Sequence, residues 1–185
     1  MSWRSHVEYV CSKLRLVLEK FSHLKFIVNR ATLFTVYHTL VESILSYGLS
    51  SYGRTFRSYL NKIKQLQLRF LKQLVYNYKK KQGDDNNNDV LFTLSKILPA
   101  HEKVTMLIAL EEFRINKFKT IVSNCYTTRS VSQQTYVVPR AKNYYGERTR
   151  QFLVPKILNC LTIGDQNISK VTYKNKIKQK LLSKL

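Results

Sequence analysis

From Val7 onward the apolar residues return at helical spacing. Val7, Val10, Leu14, Val17, Phe21 and Leu24 stand three or four apart, the stripe of an amphipathic helix running from about Ser5 to Lys25. Little interrupts such patterns, because 185 residues contain only 5 Gly and 3 Pro, the two types that most often break helices. A second helix is expected from Asn29, with Leu33, Val36, Tyr37, Leu40, Val41, Ile44 and Leu45 on its stripe and Gly48 as its stop. A third follows Thr55. Its buried face is Leu60, Ile63, Leu66, Phe70, Leu71 and Leu74; its wet face is Lys62, Lys64, Gln65, Arg69, Lys72 and Gln73.

These three helices make an N-terminal unit over 1–78. Residues 79–89 hold no apolar side chain and read as a flexible low-complexity loop. A second helical part, 90–185, opens with a short helix capped by Asp89, carrying Val90, Leu91, Leu94 and Ile97 and ended by Pro99. A helix over His101–Phe118 follows, with Val104, Leu107, Ile108, Leu110 and Phe113 inside. The segment 123–168 is loop-rich, with an extended stretch at Tyr136–Arg140, and a basic helix over Ser169–Lys184 buries Tyr173, Ile177 and Leu181. The fold class is mostly α with little or no β.

The charge is lopsided. Lys+Arg number 32 against 11 Asp+Glu, a net +21. Such a chain attracts polyanions, nucleic acid first. Three basic clusters carry interleaved aromatics: Arg54, Arg57, Lys62, Lys64, Arg69 and Lys72; Arg140, Lys142, Tyr144, Tyr145, Arg148 and Arg150; and the terminal helix. Lys and Arg neutralise phosphates and Tyr stacks on bases. We expect Arg54, Arg57, Lys64, Arg69, Lys72, Arg148 and Arg150 to contact phosphate. Two other classes compete: a helical protein-interaction module and a basic amphipathic binder of membrane surfaces.

No catalytic centre is legible. Gly83-Asp84-Asp85 has the form of a metal-binding polymerase turn, but its flanks are Lys79-Lys80-Lys81-Gln82 and Asn86-Asn87-Asn88, which would not hold two carboxylates rigid. His6, His23, His38 and His101 lack Cys or Glu at metal-ligand spacing, and His38 reads as a satisfied structural histidine. Cys11, Cys125 and Cys160 are odd in number and far apart, so they read as buried small hydrophobes in a reducing compartment. No metal or cofactor is expected. No apolar run is long enough to span a bilayer and no signal-peptide core is visible, so the expected location is intracellular, nuclear or cytoplasmic, with no membrane partner.

Ordered motifs run through the chain: Ser2-Trp3-Arg4-Ser5-His6-Val7; Leu33-Phe34-Thr35-Val36-Tyr37; Ser43-Ile44-Leu45-Ser46-Tyr47-Gly48, then Tyr52-Gly53; and Ile63-Lys64-Gln65-Leu66-Gln67-Leu68-Arg69. In the tail stand Thr128-Arg129, Val138-Pro139, Gly146-Glu147-Arg148 and Val154-Pro155-Lys156-Ile157-Leu158-Asn159-Cys160-Leu161. Their order and spacing resemble the C-terminal part of non-LTR (LINE-type, jockey-like) retrotransposon reverse transcriptases. Three positions depart from the family pattern: Tyr52 and Leu158 stand where the family has Trp, and Thr162 where it has Pro.

The resemblance implies a thumb-like and post-thumb extension that grips RNA and DNA template–primer beside a polymerase palm. The palm, with its metal-binding Asp residues, would lie upstream. The chain is then expected to be a truncated copy or a separate reading frame that does not polymerise alone. The paired Tyr-Gly steps, Tyr47-Gly48 and Tyr52-Gly53, read as an elbow ending one thumb helix and aiming the next. The glycines permit positive φ or close approach, and the tyrosines are expected to pack the corner.

Overall fold

The computed structural model describes residues 3–75, 89–115, 136–161 and 169–185. Among them the fold is mostly α: no strand is formed, and Tyr136 makes one isolated bridge. The described residues fall into two compact units, Met1–Val104 with Leu181–Leu185, and Thr105–Lys180. The division falls after Val104, not at the expected 79–89 loop, of which 79–88 lie outside the described residues.

In the first unit, α1 (Arg4–Ile27) buries Val7, Val10, Cys11, Leu14 and Phe21. The expected second helix begins at α2 (Arg30–Val36), where the Asn29 side chain accepts the Thr32 N–H at 2.8 Å. It passes through a π-helical turn, Tyr37–Val41, into α3 (Glu42–Ser46). Sequence periodicity did not indicate that turn. Along this run Leu33, Tyr37, Val41 and Leu45 are buried, a strict four-residue step. Leu40, expected inside, is exposed.

α5 (Arg57–Leu74) buries every apolar residue assigned to its inner face. Phe21 and Tyr37 both meet the Phe70 ring edge-on, at 5.2 and 6.0 Å between centroids. Arg4 lies near Tyr59, Cys11 near Lys62 and Phe21 against Phe70. Neighbouring pairs that advance together along both helices make α1 and α5 parallel neighbours.

α6 (Asp89–Ser95) packs on α5 within this unit. Its buried residue is Phe92, while Leu94 of the expected stripe is exposed. The helix stops before Pro99 in a Schellman turn. Lys96 takes a left-handed φ of 54°, its N–H bonding Thr93 O, and Ile97 N–H bonds Phe92 O. Phe92 and Ile97, the two positions whose apolar side chains such a turn brings together, are both buried. α7 (Ala100–Ile115) contributes its first residues here.

The second unit holds the rest of α7, α8 (Tyr144–Glu147), α9 (Arg150–Leu161) and most of α10 (Lys170–Leu182). Phe113 stacks on Tyr173 at 4.4 Å between centroids. Asn159 binds the backbone of Tyr136 twice: its Oδ1 accepts the Tyr136 N–H at 2.7 Å and its Nδ2 donates to the Tyr136 carbonyl at 3.0 Å. Tyr136–Arg140 is therefore tied to α9 rather than built into a sheet. Tyr173, Ile177 and Leu181 are buried as the periodicity of α10 required.

Candidate nucleic-acid interface

The approach to the basic helix α5 is set by the two Tyr-Gly steps, and the two glycines do different jobs. Gly48 ends α3 with φ 65°, a left-handed conformation that favours glycine. Its carbonyl then accepts the N–H groups of Ser51 and Tyr52 and starts a further short helix, α4 (Leu49–Tyr52). Gly53 has an ordinary φ of −65°. It is required by space, since a Cβ there would overlap both the Leu49 carbonyl oxygen and the Val104 side chain.

The tyrosines also part company. Tyr52 is 1% exposed and donates its hydroxyl to the Leu45 carbonyl at 2.8 Å, closing the corner. Tyr47 was expected to pack there too, yet it is 79% exposed. As the last residue before left-handed Gly48 its backbone turns to an extended ψ of 112°, leaving it off the buried face. The corner is filled from α1 instead. His6 lies 4.8 Å from the Tyr52 ring between centroids, and Trp3 meets His6 edge-on at 5.9 Å. Trp3 reaches the elbow through His6 and stays exposed.

Beyond the elbow, the basic residues of α5 divide between two faces. Lys62, Arg69 and Lys72 are exposed and, with Gln65, lie three or four residues apart on one stripe. Arg57 and Lys64 lie on the flank towards α6 and the start of α7. Lys64 Nζ is 2.7 Å from Asp89 Oδ1. Burial lowers the His101 pKa, and the charges of Lys64 and Arg57 lower it further. Burial raises the Glu102 pKa, and Lys184, Arg57 and Lys64 act against that rise. Arg54 is half-buried and donates from Nε to the Ser50 carbonyl at 3.1 Å. So Arg69 and Lys72 stand on the open stripe, while Arg54, Arg57 and Lys64 lie beside it. Lys62, counted in the cluster but not among the expected contacts, completes the stripe. The 62–65–69–72 spacing was the signal for it.

In the second unit, Arg148 lies over two rings, 5.5 Å from Tyr144 and 5.9 Å from Tyr145. Arg150 is engaged by Glu112, with Nη2 to Oε2 at 3.2 Å and the carboxylate side chain 4% exposed.

Two internal polar anchors were not visible in the sequence. Gln67 is buried in α5. It donates to the Leu98 carbonyl at 3.3 Å and accepts the Ala100 N–H at 2.8 Å. Lys103 is buried and its Nζ sits 2.8 Å from Glu42 Oε1, while His38 Nδ1 holds Glu42 Oε2 at 2.7 Å. His38 is satisfied, as expected, but on an exposed face. No distance in sequence suggested a Glu42–Lys103 pair.

No group of three His, Cys, Asp or Glu that could hold a metal occurs among the described residues. Gly83-Asp84-Asp85 and Cys125 lie outside them, Cys11 is buried, and Cys160, expected buried, is exposed. Among the described residues no helix is long and apolar enough to cross a membrane. No protein-family model, curated protein or solved structure matches the chain.

Proposed function

We propose that this chain binds nucleic acid through the open face of α5, as the thumb-side, C-terminal region of a non-LTR retrotransposon RNA-directed DNA polymerase that lacks its own catalytic centre. The observation that carries the reading is the exposed Lys62–Arg69–Lys72 stripe on a chain of net charge +21. Its residues recur at the helical step, so one rigid element presents them to successive phosphates, and counterion release then drives binding. The resemblance motifs support the same reading by their convergence. Trp3, His6, Tyr52 and Gly53 meet at the one corner that aims α5. The partners are RNA and DNA as template–primer, together with the palm that such a thumb would serve.

The test is binding of the purified chain to an RNA–DNA hybrid across a salt series. Affinity should fall steeply with salt. Salt-insensitive binding to a protein would favour the interaction-module reading instead, which has the exposed Tyr9, Leu16 and Ile27 of α1 on its side. Selective binding to anionic vesicles would favour the membrane-surface reading.

A further inference from the structure

A short pinned turn in the second unit presents two neighbouring aromatics. Asn143 Oδ1 accepts the Gly146 N–H at 2.9 Å, and Thr149 Oγ1 donates to the Gly146 carbonyl at 2.7 Å. Between these anchors run Tyr144 and Tyr145, 49% and 69% exposed. Adjacent helical residues diverge, yet Arg148 stands four residues after one and three after the other, so a single guanidinium reaches both rings. Gly146 has little room for a side chain, since a Cβ would come to 3.3 Å from that of Ala141. Exposed Arg140 and Lys142 precede the turn.

We propose that Tyr144, Tyr145 and Arg148 form a stacking platform for the unpaired bases of a nucleic-acid strand, with Arg140 and Lys142 against its phosphates. The platform rests on the nucleic-acid reading above and deepens it: α5 meets phosphates irrespective of base pairing, whereas exposed rings gain from bases that are unstacked. Two exposed rings sharing one cation offer π-surface that every base can use, so the platform is tolerant of sequence. A duplex hides those faces.

The test uses the full chain, a labelled single-stranded oligoribonucleotide and a blunt RNA–DNA hybrid carrying the same template sequence. The Tyr144→Leu/Tyr145→Leu variant should bind the single strand about tenfold more weakly or worse. Its salt slope should match the parent's, because no charge is removed, and its affinity for the blunt hybrid should hold. The Tyr144→Phe/Tyr145→Phe variant keeps the rings and should bind the single strand like the parent. If the Leu pair binds the single strand as well as the parent does, the platform is overturned while the α5 reading stands. A Phe pair as weak as the Leu pair also overturns it. If the parent binds neither probe, the nucleic-acid reading itself fails and the platform with it.

Discussion

The side chain of Gln67 accepts the backbone N–H of Ala100 at 2.8 Å, and both residues are buried. With its donation to the Leu98 carbonyl, this one amide satisfies two backbone groups at the turn that leads into α7. Replacing Gln67 by Leu keeps much of the volume but strands a buried donor and acceptor. The expected loss is about 2 kcal/mol, read by urea denaturation, with the Ala100 amide exchanging faster than in the parent.

Gly48 and Gly53 should respond differently to the same substitution. Gly48→Ala makes only an ordinary van der Waals contact with the Tyr52 ring but keeps a left-handed backbone, and should cost about 1–2 kcal/mol. Gly53→Ala drives a methyl into Val104 and the Leu49 carbonyl and should cost more. Pairing it with Val104→Ala should recover part of that loss, and pairing Gly48→Ala with Val104→Ala should recover none. Thermal melts of the four variants decide this.

The Glu42–Lys103 pair sets an acid limb on stability. Burial alone would raise the Glu42 carboxyl, but Lys103 and then His38 outweigh it and hold it below its ordinary 4.5. The unfolded chain then binds the extra proton first. The stability this pair supplies is present above pH 4.5 and drains away as the pH falls through the folded value. Glu42→Gln should flatten that limb. Lys103→Met alone leaves a half-buried carboxylate held by His38 only, and should cost about 2 kcal/mol; adding Glu42→Gln should return most of it.

His101 sets a second limb nearer neutrality. Burial, then Lys64 and Arg57, depress its pKa from 6.5, so folding favours the neutral ring. Stability should fall as the pH drops from 6.5 towards the depressed value. His101→Gln should remove that part of the profile and leave the Glu42 limb in place.

The helices were legible because their cores repeat at the helical step. Leu60, Ile63, Leu66, Phe70, Leu71 and Leu74 needed nothing but spacing. Gly48 was legible as a stop for the same local reason. What spacing could not show were relations across long separations: Gln67 with Ala100, Glu42 with Lys103, Arg150 with Glu112. Those pairings decide which polar side chains serve the interior. They also explain why the expected contact residues separate, with Arg69 and Lys72 on an open stripe and Lys64 and Arg150 held by buried or half-buried carboxylates. Tyr47 was misread because a tyrosine beside a glycine stop looks like its neighbour Tyr52, although only Tyr52 faces the corner.

The central claim is that the open stripe of α5 meets phosphates. The direct measurement is the salt dependence of RNA–DNA hybrid binding for the parent and for Lys62→Gln/Arg69→Gln/Lys72→Gln, with circular dichroism confirming helical folds. The variant should bind more weakly at every salt concentration, with a log–log slope shallower by about 2.7, the loss of three phosphate contacts. A variant with the parent's affinity and the parent's slope would contradict it.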